Sequence, residues 1–529
     1  MHKGRAWLES SMSSFSAWLI RQRFSWRELL LLTLIGILAN AYFLTNYSPS
    51  IDDELAAVRT SSEIWISQGR FTTYLVETLL FPQPSLPFSP YVFLAVMLAL
   101  THMLLVRAHG MTPGWRSYSA YCLFVTYPTW WLIEEFSANV PATGIGFLLA
   151  VAALCLQAEA PPDALRRFSR HEAGRLLAIG LLLALCAGAY QTLLLLFACG
   201  TIGVALCRSI EGDAAFPWRQ ACLRIFHGGV CLVAGALLYF VLNKLALGVS
   251  GTRPEYVAGF INLDNLKAPY WLVGSIALQA WAIYSGSAGQ FGAAMPVAAV
   301  ALACAAIAVA RARPGVTLPN LLLFAVLLGT PFLLCLLTGP AGLPLRAMVA
   351  LPYVIWLCAL LAFTYQRGVA WIASLVVFAL FQLQIVNLTS QYIATATLVQ
   401  HQDRFMGFDI GRRLLLLRGG DETGKPIWLD AYGHGPEERV SLFAAAQTGV
   451  TRGSFFGWDK GNLQRIAAYL RVLGFDTVRP APPAARSAFT REFEQMPVWP
   501  QEGSLRRSGD YYLLKLGKAP DAAHVVPAD

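Results

Sequence analysis

Long apolar runs dominate this chain and restrict its fold more than any other feature. They lie near residues 29–47, 88–107, 117–133, 137–156, 225–247, 290–310, 318–338, 347–365 and 369–389. Each is close to the roughly 20 residues that a helix needs to cross a bilayer. The segment 176–207 is too long for one span and short for two. Arg175 and Arg208 flank it, so both its ends belong on one side, and it reads as two short helices turning at "GAYQ", Gly188 to Gln191. That makes about eleven spans. The chain reads as an α-helical polytopic membrane protein. Composition agrees: of 529 residues, 56% are hydrophobic and 13% charged, against roughly 25% charged in soluble domains.

The net charge of +9 raises the question of nucleic acid. The basic residues instead sit in loops between spans, where the positive-inside rule puts them. Lys3, Arg5, Arg21, Arg23 and Arg27 precede the first span. Alternate loops hold Arg107 and Arg116; Arg166, Arg167, Arg170 and Arg175; Arg208, Arg219 and Arg224; Arg311 and Arg313; and Arg367. The other loops hold only Arg59, Arg70, Arg253, Lys267 and Arg346. The first set is expected in the cytoplasm with the N-terminus, the second outside. The first apolar run starts late and is long, so it reads as a retained span rather than a cleaved signal. On this bookkeeping the apolar stretch 269–287 lies on or dips into the external face. The ten cysteines lie in or beside apolar segments, so no disulfide framework is implied.

After Gln391 the sequence becomes mixed, with Pro480, Pro482 and Pro483 clustered. "KPIWLDAY" and "YYLLKLG" read as strands and "NLQRIAAYLRVLG" as an amphipathic helix. Residues 392–529 are thus expected to form an external α/β soluble domain behind a membrane domain spanning 1–391. No internal repeat suggests an inverted-repeat transporter.

The first external loop, 48–87, opens with Asp52, Asp53 and Glu54. A single helix over 52–70 would bring Arg59, Glu63 and Arg70 within about 20° of Asp52, with Leu55, Val58 and Trp65 on another sector. A solvated loop that pairs its own charges fits this pattern. So does a cavity at the bilayer edge, since ionisable groups at membrane depth tend to mark function. There a carboxylate is a general base for a hydroxyl, and arginines hold phosphate. That pairing suits glycosyl transfer from a lipid phosphate.

Together with this topology, "DDELAAVRTSSEIWISQGRF" at 52–71, "GAYQTLLLL" at 188–196, "LPLRAMVALP" at 343–352 and "MPVWPQEGSL" at 496–505 resemble the GT-C glycosyltransferases. More narrowly, the chain resembles the type II glucosyl transferases (Gtr) of serotype conversion. The resemblance implies an undecaprenyl-phosphate sugar donor and an envelope glycan acceptor such as O-antigen. It also implies inversion at the sugar, catalysis on the external face of the bacterial inner membrane, and a first-loop acid as base, here Asp52 or Asp53. A continuous helix favours Asp52; a helix starting after the pair removes that argument.

Arg59 and Arg70 are candidates for donor phosphate or for pairing with Glu63. Arg346, in an external glycine- and proline-rich loop, and Lys244 are candidates for phosphate or for snorkelling. Glu54, Tyr190, Gln191, Glu134 and Glu135 are candidates for sugar or acceptor hydroxyls, with Trp130 or Trp131 stacking on a ring. The turn residues Tyr190, Gln191, Glu134 and Glu135 serve equally as turn polar groups. Asp430, His434, Trp458 and Asp459 in the tail lack the ligand spacing of a metal site. The triplet at 52–54 is itself a donor set for a divalent cation, Mg2+ or Mn2+. A lipid-linked glycan polymerase or ligase is the main alternative, and a lipid-linked sugar flippase or transporter a further one. The first usually carries a large loop between late spans, and the second charges near mid-membrane.

Overall fold

The computed structural model describes residues 25–82, 88–161, 169–212, 217–254, 262–339, 342–419, 424–435, 442–446 and 449–518. Lys3, Arg5, Arg21, Arg23, Arg166, Arg167 and the end of the first loop at 83–87 lie outside them.

Helices form over the apolar runs. Among the described residues, six are long and apolar enough to cross a membrane: Ser89–Ala108, Ser137–Ala158, Arg170–Ala189, Leu193–Glu211, Trp218–Ser250 and Gly368–Arg418. Val297–Ala312, Thr317–Phe332 and Leu351–Tyr365 are shorter apolar helices. Leu351–Tyr365 is the hub, buried at every position from Leu351 to Phe363. A helix apolar on all sides belongs inside, and it packs on Trp115–Thr126, Val297–Ala312 and Leu193–Glu211.

The turn expected at "GAYQ" is present: one helix ends at Ala189 and the next begins at Leu193. Three expected spans are interrupted: 318–338, which breaks between Phe332 and Cys335, and the runs 117–133 and 29–47. In the run 117–133, Pro128 forces Tyr127 out of helical geometry, to ψ 137°, leaving Trp115–Thr126 and Thr129–Glu134. In the run 29–47 the break falls at Asn40, whose side-chain amide donates to Gly36 O at 2.9 Å. The stretch expected on the external face is a helix, Pro269–Tyr284, with Tyr270, Trp271, Leu278 and Trp281 exposed.

The loops segregate to two ends. At one, Arg224 Nη1 donates to Ala158 O (3.0 Å), Arg313 Nη1 to Ser209 O (3.0 Å) and Tyr365 OH to Glu211 Oε1 (2.8 Å). At the other, Arg70 Nη1 donates to Asn139 Oδ1 (3.2 Å) and Gln191 Nε2 to Gln68 O (2.9 Å).

The helix over the last apolar run does not stop near 389. It spans 51 residues, Gly368–Arg418, and crosses position 391 unbroken. At 1.5 Å per residue it is about 75 Å long, far more than the ~30 Å of hydrocarbon. Its C-terminal part carries a four-stranded sheet of β1 (Ile427–Tyr432), β2 (Val478–Pro480), β3 (Leu505–Ser508) and β4 (Tyr511–Lys515) in the order β2-β1-β4-β3. β1 runs parallel to β2 and β4, and β3 antiparallel to β4. Both strands read from the sequence, β1 and β4, are the central pair. The expected helix is Leu463–Val472, capped by Asn462, whose side chain accepts from Gln464 N and Arg465 N. Met406, Ile410 and Leu414 of the long helix share the core of this unit with Ile51 of the first loop.

Candidate active site

The first loop does not form one helix over 52–70, which corrects that expectation. It forms three short helices, Asp53–Val58, Ile64–Ser67 and Phe71–Leu79. Asp52 sits before the first with φ +81°, a left-handed conformation that Asp tolerates better than most residues. Arg59 ends that helix in extended geometry, ψ 150°. Thr60, Ser61 and Ser62 follow, and Ser61 Oγ accepts from Glu63 N at 3.2 Å, so local side-chain bonds displace the helix. Gly69, at φ +72°, closes the next turn and leads into Arg70.

These bends build a cavity of about 320 Å³. Its lining includes Asp52, Arg59, Arg70, Tyr190, Arg346 and Arg465. Asp52 reaches it without the shared helix face, because its backbone geometry turns it away from Asp53. Its side chain is 54% exposed, and Oδ1 accepts from Arg465 Nη2 at 2.7 Å. Among the described residues, Oδ2 accepts no hydrogen bond.

Asp53 touches the same cavity but is 2% exposed. Its Oδ2 accepts from Ser50 N (3.0 Å), and its Oδ1 from Ser137 N (3.0 Å) and Ser137 Oγ (2.7 Å). It staples the loop to the turn at 137. Burial pushes its pKa up to about 7, against the pull of these bonds.

The cations are held in place. Arg59 Nη2 donates to Glu77 Oε2 at 2.5 Å, with its guanidinium 4.9 Å from the Trp65 ring centre. Glu77, not the exposed Glu63, is therefore its partner. Arg70 lies 4.8 Å from the Tyr190 ring centre. Arg346, on the turn Leu345–Ala347, lies 4.9 Å from the Phe136 ring centre. The carbonyls preceding Arg70 are fixed as well: Gln191 Nε2 donates to Gln68 O (2.9 Å) and Tyr239 OH to Gly69 O (3.0 Å).

The family comparison now bears on this geometry: residues 41–363 match the family described as Glucosyl transferase GtrII. The chain belongs to that family. Membership makes it a glycosyltransferase, as the resemblance led one to expect. Comparison with curated proteins and with solved structures returns no significant match.

In this transferase the cavity gathers Asp52, Asp53, Arg59, Arg70, Arg346 and Tyr190 of the residues singled out from sequence. Others lie elsewhere. Glu54 is fully buried, its Oε1 on Arg465 Nη1 at 2.6 Å, and does not line the cavity. Glu135 accepts from Val450 N at 3.0 Å and from the Thr451 hydroxyl, so it clamps the C-terminal unit. Glu134 lines a different, mostly apolar cavity beside Gln382. Trp130 and Trp131 are 1% and 4% exposed, which leaves no face for a sugar ring. Lys244 is exposed, with its ammonium 4.7 Å from the Phe240 ring centre. Gln191 supports the loop from behind. In the acidic triplet Asp52 and Glu54 share Arg465 while Asp53 turns to Ser50 and Ser137, and among the described residues no group of three or more His, Cys, Asp or Glu is placed to hold a metal.

Sequence reading missed Arg465. Its partner Asp52 is 413 positions away, so no spacing rule connects them. The one available signal was a cation among the buried residues of the helix Leu463–Val472, beside Leu463 and Ile466.

Proposed function

We propose that this glycosyltransferase moves a hexose, glucose by family, from undecaprenyl phosphate to an envelope glycan such as O-antigen. Asp52 takes the proton of an acceptor hydroxyl. The freed oxygen attacks the anomeric carbon from the face opposite the phosphate, and the carbon–oxygen bond to phosphate breaks. The lipid phosphate leaves with the electron pair, and the configuration inverts. Arg59, Arg70 and Arg346 neutralise the charge that collects on it.

One observation carries this reading: an exposed carboxylate and guanidiniums from three separate segments converge on one cavity. Asp53, whose oxygens are taken up by Ser50 and by Ser137 outside the loop, is the supporting acid. The long helix Gly368–Arg418 fits an arrangement of about eleven spans in a bacterial inner membrane, N-terminus inside, in which it carries 392–529 into the periplasm with the first loop.

The test uses the full chain in vesicles, supplied with radiolabelled undecaprenyl-phosphate glucose or with UDP-glucose. The lipid donor labels envelope glycan and UDP-glucose does not. Direct use of UDP-glucose would remove the lipid-donor reading.

A further inference from the structure

Among the described residues, Arg465 is the one cavity residue supplied by the C-terminal sheet unit, and it lies beyond the family match, which ends at residue 363. Its guanidinium uses three nitrogens on three carboxylates. Nη2 meets Asp52 at 2.7 Å, Nη1 meets Glu54 at 2.6 Å and Nε meets Asp459 at 2.7 Å. A planar fork bound on three sides has one orientation. Its side chain is only 11% exposed, whereas Asp52 is 54% exposed. Arg465 therefore grips one oxygen of Asp52 from behind and leaves the other to the cavity.

The unit that presents Arg465 is itself pinned. Asp403 of the long helix accepts from Ser454 Oγ (2.6 Å) and Phe455 N (3.0 Å). Glu135 accepts from Val450 N (3.0 Å). The helix Leu463–Val472 packs directly on the helix Asp53–Val58 that follows Asp52. Docking of the C-terminal unit and the direction of the Asp52 carboxylate are thus one structural event.

We infer that Arg465 is a positioning residue of the transfer reaction: the C-terminal unit completes the active site by fixing Asp52 toward the acceptor hydroxyl. The inference rests on the reading of Asp52 as base. A general base works only within hydrogen-bond reach of its proton, and a displacement of about 1 Å can cost on the order of a hundredfold in rate. Lysine carries the charge but not the fork, so it can satisfy only part of the contact.

The experiment is a double-variant cycle in the reconstituted full chain with undecaprenyl-phosphate glucose, reading kcat and donor KM. Arg465→Gln is expected to lower kcat on the order of a hundredfold with little change in donor KM. Arg465→Lys recovers part of that loss. In an Asp52→Asn background, Arg465→Gln costs nothing further, because it acts through Asp52. Ser454→Ala removes one side-chain bond of the same unit away from the cavity, leaves the Phe455 N bond to Asp403 that keeps the unit docked, and leaves kcat unchanged. Losses that add in the double variant, or a Ser454→Ala loss equal to that of Arg465→Gln, would make Arg465 a fold anchor only and overturn the inference. Full activity in Arg465→Gln with Asp52→Asn inactive removes this inference alone. Full activity in Asp52→Asn removes the base reading, and the inference with it.

Discussion

Two adjacent acids of the first loop have opposite surroundings. Asp52 is open to the cavity; Asp53 is enclosed by Ser50 and Ser137. The sequence offered them as equals, because the difference comes from one left-handed backbone angle and from a turn 84 positions away. The enclosure has a thermodynamic signature. Burial raises Asp53 and Glu135 to about 7, each against hydrogen bonds that favour the anion. Their folded-state values thus exceed those of the unfolded chain, near 4. The folded state then binds more protons, so their contribution is fully present below about pH 4 and is lost as pH rises toward about 7. Thermal unfolding of the detergent-solubilised chain should show a higher midpoint near pH 5 than near pH 7. Asp53→Asn should shrink that difference while lowering the midpoint at both, since an amide cannot accept all three bonds. An unchanged difference would mean that Asp53 is ionised throughout.

At the scale of elements, legibility followed the kind of force involved. The "GAYQ" turn, the strands Ile427–Tyr432 and Tyr511–Lys515 and the helix Leu463–Val472 are set by local apolar patterning and turn chemistry, and each was readable. The first loop was not. Its three short helices are held by distant groups, Tyr239 on Gly69 O and Gln191 on Gln68 O, and by Glu77 of the loop's own third helix on Arg59. Asp52, Arg59 and Arg70 line one cavity through these bends and not through a shared helix face. Gly69 is the hinge of these bends. A Cβ there would come 2.6 Å from the Tyr239 hydroxyl at φ +72°, and the left-handed geometry alone costs about 1–2 kcal/mol for other residues. Gly69→Ala should therefore lower the thermal midpoint and weaken the donor interaction, seen as a raised KM for undecaprenyl-phosphate glucose. Wild-type values would show that Arg70 is placed without this turn.

At the scale of the molecule, the apolar helices were legible because apolar length is read directly from the chain. The boundary at 391 was not, because one helix passes through it. Apolar content marks where a helix leaves the hydrocarbon, not where it ends. The proposed topology predicts a labelling pattern. In a Cys222→Ser background, which removes the exposed native cysteine, Lys425→Cys should react with an impermeant thiol reagent in spheroplasts and Arg367→Cys only after lysis; both positions are exposed. The reverse pattern would invert the protein. The fold as a whole brings residues 52, 59, 70, 346 and 465 to one cavity, and the account stands on what the first of them does there. The most direct measurement is single-turnover transfer from undecaprenyl-phosphate glucose by the folded Asp52→Asn chain. The account predicts that donor still binds while transfer falls by about 10²- to 10⁴-fold. Transfer at the wild-type rate would contradict it.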